Sequence, residues 1–249
     1  MPPTPLPKGD FRMFVPKFYR EPESSWMVDL IRGNPLALAV TNGTAENGPF
    51  ATHLPVIFDP DAPDDGDAGH NRHAGNNRDG DGEGGGEGGG GGLVGTTLLG
   101  HMNRANPHWT ALQSGAVLLL TFTGPHSYVS PTVYEKTPAA PTWNFTAVHV
   151  RGVVEKINSI EETLGVVQST VRAFEKGFGT GWDMNESLGY FRKIVPAVGA
   201  FRFTVTGAEG MFKLSQEQPG EVRERVRESF GQSECTYRRE TAELMSRLP

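Results

Sequence analysis

Leu36-Ala37-Leu38-Ala39-Val40-Thr41 and Ala51-Thr52-His53-Leu54-Pro55-Val56-Ile57-Phe58 are two short apolar runs joined by Asn42-Gly43-Thr44, Asn47-Gly48 and Pro49. Loop-forming residues between two runs of this length are turn chemistry, so the pair predicts two strands joined by a turn. Further runs lie at 93–99, 116–123, 145–157 and 198–205. Six short hydrophobic strands joined largely by turns predict an antiparallel barrel rather than a parallel sheet of βαβ units. Helical spacing appears between and after them. Ser159 with Glu162 is a capping box, followed by Ile160, Leu164, Val167, Val171 and Phe174 at helical intervals. A short helix is expected at Glu21–Arg32, and two more at Pro219–Phe230 and from Tyr237 to Leu248. The expected class is mainly β with α (α+β): a barrel domain over 11–214 with peripheral helices, and a helical C-terminus over 215–249.

The chain has 249 residues, 37 % of them hydrophobic, which suffices for a globular core. The net charge of −6 is local. Eight acidic residues and two arginines lie between Asp61 and Gly92, and the rest of the chain carries 21 acidic and 21 basic residues. That segment also holds 13 glycines and no large apolar residue, which predicts a disordered insertion at 61–92 in a surface loop. Its glycine run is not followed by Gly-Lys-Ser/Thr and so does not read as a phosphate loop. The balanced remainder shows no basic stripe of the kind a dedicated DNA-binding domain carries. Cys235 is the only cysteine, which excludes an intrachain disulfide and a cysteine-based zinc site. No apolar run approaches the ~20 residues of a membrane span, and the proline-rich N-terminus is not a secretory signal; a soluble, cytoplasmic protein is expected.

Chemistry-bearing residues cluster at segment ends. Gly100-His101-Met102-Asn103-Arg104-Ala105-Asn106-Pro107-His108-Trp109, Gly124-Pro125-His126-Ser127-Tyr128-Val129-Ser130-Pro131 and Pro141-Thr142-Trp143-Asn144-Phe145 repeat donors, cations and flat aromatics. That composition suits a planar, phosphorylated ligand. Arg104 offers a fork matched to phosphate, and Asn106-Pro107 starts a short helix whose first amides are unpaired. An Asn106 cap and an Arg104 ion pair fit the residues equally well. Trp143 suits stacking on a planar ring or core packing alike. His53 faces away from Thr52, Leu54 and Val56 by strand alternation and reads as a structural or a functional histidine. Lys213-Leu214-Ser215-Gln216 places a cation, a hydroxyl and an amide within four residues.

These motifs, together with Phe14-Val15-Pro16-Lys17-Phe18-Tyr19 and His149, resemble in order the signatures of the PaiB family, over residues 12 to 230. The resemblance implies an FMN-binding split β-barrel, commonly a homodimer with flavin near the subunit interface, in a family named for negative transcriptional regulation. Carried over by position, it implies Thr52, His53, Leu54, His101, Arg104, Ala105, Asn106, Thr142, Trp143, Asn144, Lys213, Ser215 and Gln216 as cofactor neighbours. Arg104 and Lys213 are then expected at the phosphate with Ser215 and Gln216, and Thr52, Trp143 and Asn144 at the isoalloxazine. His53 and His101 are expected near the reactive flavin atoms. The chain departs from the family pattern in its insertion, in Asn103, and in Glu217 where asparagine is common. Two other readings remain open, a flavin-dependent oxidoreductase acting on a small substrate or reductant and a haem-binding relative. No catalytic residue is assigned. The balanced charge leaves direct DNA contact doubtful.

Overall fold

A computed structural model describes residues 13–43, 46, 48–62 and 92–249. Apart from its ends, the expected insertion at 61–92 lies outside the described residues. Six strands, β1 (Leu36–Thr41), β2 (Phe50–Phe58), β3 (Thr97–Asn103), β4 (Val117–Val129), β5 (Thr142–Ile157) and β6 (Val198–Lys213), pair antiparallel. They close into a barrel in the order β1-β2-β3-β6-β5-β4. The expected strand at 93–99 begins later, at Thr97. Gly95 at φ +91° turns the chain there, and buried Leu93 accepts the Thr96 amide across that turn.

Side-chain alternation fills the barrel. Ala37 and Ala39 of β1, Leu118, Leu120 and Phe122 of β4, and Phe201 and Phe203 of β6 point inward and are fully buried. Gly100 lets the Phe201 ring lie directly on β3, where a Cβ would collide with it. Helix α1 (Ser25–Gly33) adds Trp26, Met27, Leu30 and Ile31 to the same core, and α2 (Pro107–Ala111) adds Trp109. Each large apolar side chain so buried contributes about 1.5–3 kcal/mol.

Helix α3 (Ile160–Gly177) starts at the expected cap, with Ser159 Oγ accepting the Glu162 amide at 3.3 Å. Its buried stripe is Thr163, Leu164, Val166 and Thr170, rotated from the expected one, and Ile160 stays exposed. The threonines can be buried because each returns its hydroxyl to the carbonyl one turn back, Ser159 at 2.8 Å and Val166 at 2.9 Å. Val166 and Phe174 cover Ile57, Leu99, Ile157 and Ala200 on the outer side of β2, β3, β5 and β6. Helix α4 (Leu188–Ile194), too short for a periodic signature, follows. Helices α5 (Gly220–Gly231) and α6 (Thr236–Ser246) bury Val222, Val226, Phe230, Ala242 and Met245 in the main core cluster, so the C-terminus packs onto the barrel. Among the described residues no helix is long and apolar enough to cross a membrane.

The chain returns to the barrel close to where it leaves: the Asp59 amide donates to the Thr97 carbonyl at 3.0 Å. Deleting 64–90 removes no large apolar residue, and loop-closure entropy changes by only about 0.6 kcal/mol per doubling of length. A thermal melt of the deletion variant is expected to stay near that of the parent chain. A collapse of the melting transition would show that the segment docks on the fold.

Candidate functional site

The first end of the barrel is plugged by a polar ring. Thr41 closes β1 and Thr52 lies near the start of β2, and between them sits His108 of α2, 1 % exposed. The His108 Nε2 lies 2.9 Å from Thr41 Oγ1 and its Nδ1 lies 2.9 Å from Thr52 Oγ1. Asn106 caps α2 by accepting the His108 amide at 2.9 Å, and its amide nitrogen donates to Thr52 Oγ1 at 3.2 Å. Thr52 and Asn106 are thus held by the architecture, and Leu54 is buried in the core. His53 and Ala105 are exposed, the latter with its amide donating to Asn103 Oδ1 at 2.8 Å. Burial pushes the His108 pKa down, which keeps the ring neutral between its two hydroxyls.

Beside this plug stand two cations. The Arg104 Nε donates to the Val198 carbonyl at 2.8 Å and its guanidinium lies 5.6 Å from the Trp109 ring. Lys156 of β5 approaches the same indole at 4.4 Å and donates to the Trp109 carbonyl at 2.7 Å. The indole packs on Gly199, where any side chain would strike it. Among the described residues neither cation has a carboxylate partner. Burial and the neighbouring Arg104 charge both push the Lys156 pKa down. Of the two readings for this stretch, Asn106 is the cap and Arg104 is not in an ion pair. His101, on the outward-facing side of β3 with Leu99 and opposite Ala200, has a buried Nδ1 without a hydrogen-bond partner. Burial lowers its pKa as well.

The other motifs lie at the opposite end. Asn144 and Ser215 are both fully buried and bonded to each other, Asn144 Nδ2 to Ser215 Oγ at 2.9 Å and Ser215 Oγ to Asn144 Oδ1 at 3.1 Å. Ser215 holds φ at +65°, and Met245 of α6 covers the pair, its sulfur 3.9 Å from Asn144 Nδ2. Gln216 is spent on its own turn, accepting the Leu214 amide and donating to the Phe212 carbonyl, each at 2.6 Å. Lys213 donates to Thr142 Oγ1 at 2.5 Å and lies 5.7 Å from the Tyr19 ring. Glu217, the departure from the family pattern, is used here: burial first, then this carboxylate, push the Tyr19 phenol up to about 12. Trp143 is 48 % exposed, its indole N–H donating to His126 Nδ1 at 3.3 Å.

The thirteen expected residues therefore form two groups. Thr52, His53, Leu54, His101, Arg104, Ala105 and Asn106 lie at the first end; Thr142, Trp143, Asn144, Lys213, Ser215 and Gln216 lie at the second. Asn144 and Lys156, both on β5, are separated by about 40 Å of strand at ~3.3 Å per residue. Lys156 and His108 were not singled out as ligand or plug residues. Lys156 sits in the alternating run of β5 and gains its meaning only when Trp109 and Arg104 arrive from another element.

The profile of a family described as "Putative FMN-binding domain" matches residues 13–207. The chain belongs to that family, the PaiB-type proteins. A Bacillus subtilis relative, protease synthase and sporulation protein PAI 2, is 25 % identical over 238 residues, covering 94 % of this chain and 96 % of its own. An uncharacterized protein of Emericella nidulans is 24 % identical, covering 82 % and 85 %. Among solved structures, the FAD and heme binding protein from Mycobacterium smegmatis aligns with a TM-score of 0.50 at 14 % identity, over 82 % of this chain and 78 % of that one. The flavocytochrome Anf3 from Azotobacter vinelandii aligns with a TM-score of 0.50 at 13 % identity, over 86 % and 79 %. These place the fold among split barrels. The unpaired Arg104 and Lys156 and the orphaned His101 Nδ1 are a donor set that fits a phosphorylated, heteroatom-rich ring such as a flavin nucleotide.

His101, His108 and His149 all have lowered pKa values, with burial the first cause and the Arg151 charge a second at His149. Their folded pKa values lie below the unfolded value of about 6.5, so the folded state binds fewer protons in this range. The stability they contribute is complete above about pH 6.5 and is lost as pH falls below it toward the folded values. Melting temperature is expected to hold between pH 8 and 7 and to drop between about pH 6.5 and 5. A profile flat across the lower window would contradict the neutral, buried assignment.

Proposed function

We propose that this chain is an FMN-binding protein that holds its flavin between two copies of itself. The observation that carries this reading is the pair of cations, Arg104 and Lys156, set against one indole with no carboxylate among the described residues to balance them. An anion there offsets their mutual repulsion, and the phosphate of FMN supplies it. Lys213 and Trp143 belong to the same ligand only if another chain brings them there, because one barrel holds the two groups at opposite ends. A two-fold partner lying antiparallel places the second end of one barrel beside the first end of the other.

A face suited to that contact is open. Leu36, Val117 and Val153 are 63 %, 67 % and 37 % exposed, and they adjoin the half-buried Leu38, Val40 and Leu119 on the outer side of β1, β4 and β5. Contiguous apolar surface of this kind marks an interaction site more often than a free surface. In the bound state His101 offers its free Nδ1 to the ligand, and Asn144 and Ser215 act by shaping the turn that carries Lys213 and Gln216. The cofactor supplies the redox-active ring; the chain's residues bind and orient it. The regulatory role implied by the family resemblance is proposed to run through a partner or a metabolite. Several C-terminal arginines are committed within the fold, Arg225 to the Val133 and Tyr134 carbonyls, Arg227 to Glu224 and Arg247 to Asp29.

An absorption spectrum of the purified protein distinguishes flavin from haem. FMN titration should give saturable binding, weakened more than tenfold by Arg104→Ala, the loss of about 1.5–3 kcal/mol expected for a charge-assisted phosphate contact. Unchanged affinity removes Arg104 from the site. Sedimentation velocity across a dilution series should show a dimer tightened by FMN and broken by Val117→Glu. A monomer with full flavin occupancy overturns the shared site and leaves the flavin reading standing.

A further inference from the structure

Four rings at the second barrel end are in contact in a row, a column with one pair stacked and two tilted. His126 of β4 stacks on Tyr237 of α6, with centroids 5.1 Å apart and planes at 24°, and faces Trp143 of β5 at 5.9 Å and 32°. Tyr128, the cross-strand partner of Trp143, tilts against it at 6.0 Å. Tyr128, Trp143 and Tyr237 remain 44 %, 48 % and 53 % exposed. Tyr237 and the adjacent Arg238 lie beyond residues 13–207, the part matched by the family profile. The column is ordered from within: the Trp143 indole N–H donates to His126 Nδ1, so in the neutral imidazole the proton sits on Nε2.

The cation that follows Tyr237 is anchored on Ser127, the residue between His126 and Tyr128 on β4. The Arg238 Nε donates to Ser127 Oγ at 3.2 Å, and its guanidinium lies 5.2 Å from the Phe230 ring. Among the described residues no carboxylate pairs with it. The half-exposed Tyr237, stacked on His126, offers a π face to a planar base, and the guanidinium next to it in sequence, fixed by a hydroxyl and a ring, offers its remaining donors to phosphate.

We propose that His126, Tyr128, Trp143 and Tyr237, with Arg238, form a platform for a nucleotide, a second ligand distinct from the flavin, whose base stacks on the column and whose phosphate meets Arg238. The platform shares Trp143 with the flavin reading but does not require it.

The test is calorimetric titration of FMN-loaded and flavin-free protein with AMP and, separately, with adenosine, in wild type, Tyr237→Ala and Arg238→Gln, with FMN titrated against the same variants. Saturable AMP binding to the FMN-loaded protein is expected. Tyr237→Ala should weaken it about fivefold to a hundredfold, the range for one base–aromatic stack. Arg238→Gln should weaken AMP and leave adenosine unchanged. Absence of saturable AMP binding, or binding untouched by Tyr237→Ala, overturns the proposal. AMP binding confined to flavin-free protein assigns the platform to the flavin itself and overturns it equally. AMP binding in a protein that takes no FMN upholds the platform and removes the flavin reading instead.

Discussion

Closure of the sheet through β1 is the constraint on which the rest depends. β1 is the shortest strand and must pair on both sides, with β2 along its length and with β4 through Leu38–Thr121, Ala39–Leu120 and Val40–Leu119. It can do so because Ala37 and Ala39 are its inward residues. Larger side chains at those positions would push β1 off the phenylalanine-filled interior and open the seam. Once the seam is closed, every long strand has a defined first and second end, and the two groups of motif residues are held apart by the height of the barrel.

The same closure creates the polar problem that His108 solves. A barrel end exposes strand-terminal hydroxyls beneath the first turn of α2, and burying them unpaired would cost about 1–3 kcal/mol each. One neutral imidazole spans Thr41 and Thr52, and Asn106 joins Thr52 to the helix start. Thr52 and Asn106 thus hold an end in place, whereas Arg104, one turn away on the same loop, is left with its charge unbalanced. The motif contains both kinds of residue, and only the structure separates them. At the second end Asn144 and Ser215 complete each other beneath α6, and Trp143 and Lys213 stand outside.

How much of this was legible follows from where each signal resides. Leu36–Thr41 carries local signals, alternation and turn chemistry, and its strand lies where the residues predict it. By contrast, β4 and β6 run on to Val129 and Lys213, past the expected 123 and 205, and β5 begins at Thr142 rather than at 145, because cross-strand pairing extends them through residues that read as loop. Ser159 announces a cap that forms as expected, because it involves only the four residues from Ser159 to Glu162, while the Glu162 carboxylate expected to complete the capping box pairs with Arg202 instead. The rotated face of α3 was illegible: Thr163 and Thr170 read as polar until their hydroxyls turn back on their own helix. Lys156 was illegible for a different reason. Its partners Trp109 and Arg104 come from α2 and the loop before it, some fifty residues earlier, so nothing local shows that a lysine in phase with the buried Val150 and Val154 lies over an indole.

Charge placement ties these observations together. Some cations elsewhere are matched, Arg151 with Glu209 at 2.7 Å and Arg202 with Glu162 at 3.1 Å. The exposed Arg202–Glu162 pair contributes little to stability, but with the less exposed Arg151–Glu209 pair it shows that carboxylates are available to cations on β5 and β6. Against that background, Arg104 and Lys156 sharing one indole is a cost the fold carries: burial first, and then the Arg104 charge, push the Lys156 pKa down. A carboxylate in the β3–α2 loop would remove the repulsion, but the loop supplies Asn103, Ala105 and Asn106 instead. Among the described residues that repulsion is uncompensated, and the anion proposed above would offset it.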